Sequence, residues 1–321
     1  MRRALIASGA LFLAACASTP VESATPSLSE QEAQAPFAAY PSPVPHCEVV
    51  PALSEEGAAR DAAYTTMDTA SRNNLLLSLP DCLENPDPAA RDGYAFEILS
   101  LILRAGDQSE ATLRTLKADL LARLASATED PNGFRGPFAA LALAEVARTD
   151  RIAPWMSETE RSDLIGAAHV YLETLTDYRG FSDTEGWRHG VAHTADLLMQ
   201  LSLNPQLTKP QAKEILAAVA LKAGTPDHAY IFGESERLAA PVTYLAFKET
   251  FTAEEWSAWF LSLWPPGDPL REEAYKSETA LTKLHNLRAF AQSVYINAVA
   301  SNDDRMKPVA GAGFEFLNQL P

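Results

Sequence analysis

The sequence is poor in cysteine, in basic residues and in long hydrophobic runs. Only three of its 321 residues are cysteines, and 26 lysines and arginines stand against 42 aspartates and glutamates, which gives a net charge of −16. A surface this acidic repels polyanions, so nucleic acid is excluded as a partner. The apolar stretch over residues 4–14 is too short to cross a bilayer as a helix.

Motifs of several common enzyme classes are also missing. The chain has no Gly-x-Ser-x-Gly nucleophile motif, no glycine-rich phosphate loop and no cysteine–histidine pair in a reactive setting. The metalloprotease pattern His-Glu-x-x-His is absent as well, because Gly190 follows His189 where that pattern has its glutamate. The sequence therefore predicts no particular reaction, and it leaves open whether the protein is an enzyme.

The N-terminus has the features of a bacterial lipoprotein signal. Arg2 and Arg3 precede the apolar stretch, and small residues lead to Cys16. This order predicts a signal peptide over residues 1–15 and attachment of lipid, such as palmitate, to Cys16. Because Ala17 rather than aspartate follows the cysteine, we expect a lipid anchor in the outer membrane, with the protein facing the periplasm. The alternative is an ordinary secretory signal with an incidental cysteine.

A segment rich in proline, serine and alanine follows the signal peptide. Residues 16–51 cannot bury enough apolar surface to fold, so we expect a disordered tether that holds a single all-helical domain, residues 52–321, off the membrane. Cys47 and Cys82 can form a disulfide in an oxidising compartment. Closing this loop would contribute about 3–4 kcal/mol in the chain-entropy treatment. Two buried free thiols are the alternative.

Helix signals follow one another along the rest of the chain, and no segment shows the sustained alternation that is typical of a strand. Ser157 with Glu160, and Thr252 with Glu255, form two capping boxes that mark helix starts. Short connectors between the helices favour antiparallel neighbours. We predict an all-α fold, an irregular stack of antiparallel helix pairs that resembles a HEAT-like α-solenoid, although no fixed-period repeat is present.

Residues 179–198 form the most informative segment, and the sequence predicts a turn followed by a helix over residues 185–203. Gly180 permits a left-handed conformation in the turn. A helix advances about 100° per residue, so polar side chains collect on one face while most other positions are apolar or small. That face carries His189, His193, Asp196 and Gln200.

Three interpretations of this polar face stay open. It can be the solvent-facing side of a core helix. It can line a pocket that binds an organic ligand or performs acid–base work, with Asp196 raising the pKa of a neighbouring histidine. It can hold zinc, because His189 and His193 are four residues apart and Asp196 can be a third ligand. Spacing alone establishes no cofactor.

Further binding candidates lie in the turn before this helix and in a later acidic stretch. Arg179 offers a fork for a carboxylate or phosphate, and Trp187 offers a stacking face. The alternative for Arg179 is an intramolecular salt bridge. The later stretch contributes Glu234, Glu236 and Arg237. Its acids can complete a metal site or pair with Arg179, or they can simply complement the dipole of a helix.

The central segment resembles the bacterial family known as domain of unknown function 2785. The family pattern is an Arg-Gly-aromatic turn followed by Gly-Trp-x-His-x-x-Ala-His-x-Ala-Asp-Leu-Leu. The matching residues are Arg179, Gly180, Phe181, Gly186, Trp187, His189, Ala192, His193, Ala195, Asp196, Leu197 and Leu198. The similarity extends over residues 60–300 and includes Asn286, whereas Arg188 departs from it, since a small residue is usual there. The resemblance implies a helical domain of unknown activity.

Two functions are compatible with these features. We favour an uncharacterised envelope lipoprotein whose helical domain binds a small molecule or a partner protein around residues 179–196. The alternative is a hydrolase that uses His189, His193 and Asp196, with or without zinc.

Overall fold

The fold was analysed in a computed structural model, which describes Cys47, Leu53 and residues 57–321. These residues belong to one compact unit, Val44–Pro321. The predicted signal peptide, Cys16 and the predicted tether apart from Cys47 lie outside the described residues, so their assignments stay predictions. Within residues 57–321, no helix combines the length and the apolar character needed to cross a membrane.

Thirteen helices and one two-stranded hairpin form the regular structure of this part of the chain. The first helices are α1 (Ala58–Thr66), α2 (Thr69–Cys82), α3 (Glu97–Ala105), α4 (Glu110–Ala125), α5 (Arg135–Ile152) and α6 (Glu158–Thr174). The later ones are α7 (Gly190–Leu203), α8 (Lys209–Ala223), α9 (Glu234–Phe247), α10 (Ala253–Leu263), α11 (Pro269–Glu272), α12 (Glu278–Ala300) and α13 (Lys307–Gln319). A π-helical segment, Ala89–Phe96, leads directly into α3, and strands β1 (Phe181–Ser182) and β2 (Gly186–Trp187) pair antiparallel between α6 and α7.

The helices pack in two layers. In one layer α3, α5, α7, α9 and α12 each contact the next, so α7 lies between α5 and α9. In the other layer α2, α4, α6 and α8 are arranged in the same way, and α10 and α13 pack together near the C-terminus. Helices that follow one another mostly alternate between the layers, as expected for a stack of helix pairs. The prediction of an all-α fold of packed helices is confirmed.

Side-chain caps explain where several helices begin. At the start of α6 the Ser157 hydroxyl accepts the Glu160 N–H, and the Glu160 carboxylate accepts the Ser157 N–H. Thr252 and Glu255 form the same reciprocal pair at the start of α10. Each box satisfies two N–H groups that have no partner within the helix, and such caps contribute about 1 kcal/mol. Both capping boxes predicted from the sequence are present.

A disulfide joins Cys47 to Cys82, whose Cα atoms are 4.7 Å apart. Cys82 is the last residue of α2 and is buried in the core. Cys47 is partly buried and packs against this core. The bridge spans 35 residues of sequence. It therefore fastens the chain before α1 to the end of α2.

The segment before α7 differs from its prediction. A helix was predicted over residues 185–203, but α7 begins only at Gly190, and the residues before it form the β1–β2 hairpin. The reason lies at His189, whose φ of 60° and ψ of 42° are left-handed and interrupt a right-handed helix. The N–H groups of Arg188 and His189 donate to carbonyls of the preceding turn instead.

Gly180 also differs from its prediction, because it does not adopt the left-handed conformation expected for it. A Cβ atom at this position would lie 2.1 Å from the ring of Phe232. The glycine is therefore required by the close approach of Phe232 to the turn, and the left-handed residues of this segment are Gly186 and His189.

Candidate functional site

A cavity of about 850 Å³ lies beside the N-terminal end of α7. Its wall includes residues from α1, the π-helical segment, α3, α5 and α9. Several of its side chains come from the segments that the sequence singled out, or lie next to them, namely Trp187, His189, His193, Phe232 and Arg237. Phe96 and Leu141 add apolar surface. The cavity thus brings together a part of the predicted site.

His193, in the first turn of α7, has a defined tautomer. Its ring is buried edge-on against Phe138, and its Nδ1 lies 3.2 Å from the carbonyl oxygen of Pro137. Because a carbonyl only accepts, Nδ1 carries the hydrogen and Nε2 of the neutral ring keeps its lone pair. Burial, together with His189 and Arg237 nearby, lowers the pKa of His193 to about 3. At pH 7 the ring is a neutral hydrogen-bond acceptor.

His189 lies between the hairpin and α7, where its ring stacks on the indole of Trp187 with centroids 4.7 Å apart. Its Nε2 is buried without a hydrogen-bond partner, and Glu234 Oε1 is 3.7 Å away. Burial first, and then the charge of Arg237, lowers the pKa of His189 to about 4. The expectation that Asp196 raises the pKa of a neighbouring histidine is wrong, because burial lowers the pKa of both rings and Asp196 is paired with Arg237.

Aromatic rings surround Trp187. Within the hairpin the centroid of Phe181 is 5.0 Å from that of Trp187, and Phe232 meets the indole edge-on at 5.9 Å. The His189 ring occupies a stacked position at an angle of 21°. Trp187 still exposes 39% of its surface, so part of this aromatic group remains accessible to a ligand.

Asp196 pairs with Arg237, not with a histidine. Arg237 Nε donates to Asp196 Oδ1 at 2.7 Å, and Arg237 Nη2 donates to Oδ2, so the pair is bidentate and joins α7 to α9. Burial raises the pKa of Asp196, and the guanidinium partly opposes this effect. The pairing uses both carboxylate oxygens and therefore removes Asp196 from the set that was predicted with His189 and His193.

Like Asp196 and Glu234, three other predicted residues, Arg179, Gln200 and Glu236, do not line the cavity. Arg179 forms an ion pair with Asp177, with Nη2 and Oδ2 2.5 Å apart, which is the salt-bridge alternative considered from the sequence. Gln200 accepts a hydrogen bond from Arg151 at 3.1 Å. Glu236 is exposed in the first turn of α9. The structure therefore does not bring these three side chains to the histidines.

Among the described residues, no group of three or more His, Cys, Asp or Glu side chains is placed to hold a metal ion. The predicted set is divided because Arg237 donates to both carboxylate oxygens of Asp196. Glu234, the other candidate acid, accepts the N–H of Phe232 at 2.9 Å. The arrangement of these side chains gives no support to the zinc alternative.

Arg91 holds the hairpin against the early helices. Its fully buried guanidinium donates to the Glu185 carbonyl at 2.7 Å and pairs with Asp92 at 2.6 Å. It also stacks on the ring of Phe134, with 4.0 Å to the centroid, and Arg188 stacks on the same ring at 4.2 Å. The arginine that departs from the family pattern is thus part of the packing beneath the site.

The loop that carries Phe232 into the cavity wall is anchored by Asn286 of α12. The Asn286 side chain is fully buried and donates to the carbonyls of Thr225 and His228 at 3.0 and 2.8 Å, while it accepts the Tyr230 N–H at 3.0 Å. Sequence reasoning missed Phe232 and named Asn286 only as part of the family resemblance. The available signal was an amide between Leu284 and Leu287 of a long helix.

Comparison with known proteins identifies one family. The family described as "Protein of unknown function (DUF2785)" matches residues 120–296, which contain the hairpin, α7, α9 and the loop that Asn286 anchors. No curated protein and no solved structure matches the chain. The match covers more than half of the 321 residues and agrees with the resemblance of the central motif. The chain belongs to the DUF2785 family of proteins of unknown function.

Proposed function

We propose that the protein is an envelope lipoprotein whose helical domain binds a small organic molecule in the cavity beside α7. The observation that carries the proposal is the cavity itself. Its volume of about 850 Å³ falls within the range of about 300–1,000 Å³ that is typical of small-molecule sites. Such sites combine aromatic walls with a few fixed polar groups, and here Trp187, Phe232 and the two imidazoles have those roles.

The attachment of the cavity wall is a second argument for a ligand site. Arg91 donates to the Glu185 carbonyl of the hairpin, and Asn286 donates to the Thr225 carbonyl at the start of the loop that carries Phe232. Both donors are fully buried. Side chains held on fixed segments suit a site that binds a ligand in one geometry.

We favour a small molecule over a partner protein, because the two imidazoles are buried rather than presented on a surface. The hydrolase alternative lacks a comparable supporting observation, since Asp196 is bound by Arg237 and no nucleophile motif stands beside the histidines. We therefore propose binding as the activity of the domain.

The role of the cavity in ligand binding is tested with a substitution that fills part of its volume. Gly93 lines the cavity, and a Cβ atom there would meet nothing within 4 Å, so Gly93→Trp adds an indole to the cavity without a clash at its base. Gly311 is also helical with nothing within 4 Å, and Gly311→Trp in α13 is the matched control. Binding of 2-naphthol to the full chain carrying Cys16→Ser is measured by ligand-observed NMR.

We expect 2-naphthol to bind the parent chain and the Gly311→Trp variant equally, and to bind Gly93→Trp at least about tenfold more weakly, because the added ring occupies its space. Equal binding by all three proteins, or no binding by the parent chain, would contradict the proposal.

The lipid anchor is tested separately. Bacteria expressing the full chain are labelled with an alkyne analogue of palmitate, and their membranes are fractionated. We expect label on the native protein, recovery with the outer membrane, and loss of both in Cys16→Ser. An unlabelled native protein, or a labelled Cys16→Ser protein, would show that the anchor is not formed as proposed.

A further inference from the structure

We infer that the ligand of this cavity is an uncharged aromatic molecule that donates an N–H or O–H hydrogen bond to Nε2 of His193. The inference rests on the proposed function and narrows it to a class of ligand. It follows from the acceptor nitrogen in the wall, from the pairing of the charges around it, and from the aromatic group next to it.

The acceptor comes from the backbone of α5. The Pro137 carbonyl fixes the hydrogen of His193 on Nδ1, so Nε2 can only accept while the ring is neutral. This bond to Pro137 is the single hydrogen bond of the ring within residues 57–321, and the ring lines the cavity. A ligand that fills the cavity without a donor would bury the nitrogen unsatisfied, and a donor removes that cost.

The charged side chains of the wall are already paired. Each has a partner of opposite charge, in the ion pairs Asp92 with Arg91, Glu97 with Arg60, and Arg237 with Asp196. A charged ligand would lose its hydration on entering the cavity, yet it would have to compete with an existing partner for any counter-charge. The wall therefore favours a neutral molecule over an anion or a cation.

The aromatic group defines the shape of the ligand. Trp187 and His189 are stacked on each other, and Phe232 stands perpendicular to the indole. Phe96 and Leu141 also line the cavity and add apolar surface. A planar aromatic ring can use both the stacked and the edge-on geometries that aromatic side chains prefer.

The test compares four bicyclic probes on the full chain carrying Cys16→Ser. The probes share one ring system: 2-naphthol donates a hydrogen bond, 2-methoxynaphthalene cannot donate, 2-naphthoate is an anion, and 2-naphthylmethylammonium is a cation. We expect 2-naphthol to bind about tenfold more tightly than the methyl ether, and more tightly than either ion. Dissociation constants are measured by ligand-observed NMR titration at pH 7.

A variant of His193 tests whether the preference for 2-naphthol over its methyl ether depends on Nε2. His193→Phe keeps a planar ring but removes Nε2, so we expect 2-naphthol and its methyl ether to bind with equal affinity. His169→Phe, at a half-buried histidine of α6 that lines a different groove, should keep the tenfold preference. If His193→Phe does not fold, the comparison of the four probes on the parent chain still decides the inference.

The outcomes distinguish failure of the inference from failure of the proposed function. Equal affinity of the parent chain for 2-naphthol and 2-methoxynaphthalene would overturn the hydrogen bond and leave the cavity as a binding site. Tighter binding of either ion would overturn the uncharged class. Absence of binding by all four probes would overturn both proposals, and retention of the preference in His193→Phe would show that another acceptor is used.

Discussion

At the scale of single residues, burial determines the chemistry of the site. Two histidines only four positions apart have their pKa lowered to about 4 and about 3, so neither is a cation at neutral pH. Asp196, which sequence spacing placed beside them, is held by Arg237. The imidazoles are consequently acceptors or neutral donors within an aromatic wall, and their charge is not available for binding an anion.

The lowered pKa of His193 makes the stability of the protein depend on pH. The unfolded chain takes up a proton near the ordinary pKa of 6.5, but the folded protein resists this proton until about pH 3. Stability that is complete above pH 6.5 is therefore lost as the pH falls. Relative to His193→Phe, we expect the free energy of unfolding of the native chain to fall by about 2 kcal/mol between pH 7 and pH 5.

Chemical denaturation of both proteins at several pH values measures this difference. Curves of unfolding free energy that stay parallel from pH 7 to pH 5 would mean that His193 titrates equally in the folded and unfolded states. That result would contradict the burial of the His193 ring against Pro137 and Phe138.

At the scale of elements, two connections rather than the helices shape the cavity wall. The β1–β2 hairpin supplies Trp187, and the loop before α9 supplies Phe232. Each is attached to a helix outside its own neighbourhood in sequence, the hairpin through Arg91 and the loop through Asn286. The stack of helices thus serves as a frame, and these attachments decide where the aromatic rings lie.

Removal of the Asn286 side chain should loosen the loop that carries Phe232. Asn286→Ala leaves two carbonyls and one N–H without their partner inside the protein, so we expect a loss of about 2–4 kcal/mol in unfolding free energy. Hydrogen exchange at the Tyr230 amide should accelerate. Asn297→Ala, at an exposed position of the same helix, is the control and should change neither quantity. Unchanged exchange at Tyr230 would count against the anchoring role.

A methyl group at Gly180 should disturb the wall without touching the histidines directly. Because the new Cβ would lie 2.1 Å from the Phe232 ring, Gly180→Ala must displace that ring. We expect at least about a fivefold loss of affinity for 2-naphthol, equivalent to about 1 kcal/mol. Gly166→Ala, whose Cβ would meet only the end of the Glu214 side chain at 3.6 Å, should bind like the native chain. Equal affinities would show that Phe232 is not part of the binding wall.

At the scale of the whole molecule, the disulfide between Cys47 and Cys82 is a covalent link between distant parts of the described chain. It closes 35 residues and fixes the segment before α1 to the end of α2, next to the early helices that complete the cavity. The remaining stability comes from a continuous apolar core that runs through both layers of helices.

Loss of the bridge should lower the stability of the protein without removing its fold. For a closed loop of this length the chain-entropy treatment gives about 3–4 kcal/mol, so Cys47→Ser should reduce the free energy of unfolding by that amount. Reduction of the native chain should have the same effect, and reduction of Cys47→Ser should have none. Denaturation with and without reductant measures all three. Equal stability of the native and reduced chains would show that the bridge does not constrain the unfolded state.

The sequence by itself determined the helical class, the capping boxes that begin α6 and α10, and the family. These features depend on residues that are close in the chain, where hydrophobic period and cap chemistry act directly. The same local rules failed at residues 185–189. There the hairpin is held by Arg91, 94 residues away from its Glu185 partner, and a helical pattern cannot reveal that contact.

Only the tertiary structure decided which of the candidate side chains meet. Trp187, His189, His193 and Arg237 line one cavity. Arg179 instead forms an ion pair with Asp177, and Gln200 accepts a hydrogen bond from Arg151. Partner choice among charged groups depends on distance and on the loss of water, and both are set by helices that are remote in sequence. For the same reason the sequence could list the histidines but could not tell that burial keeps them neutral.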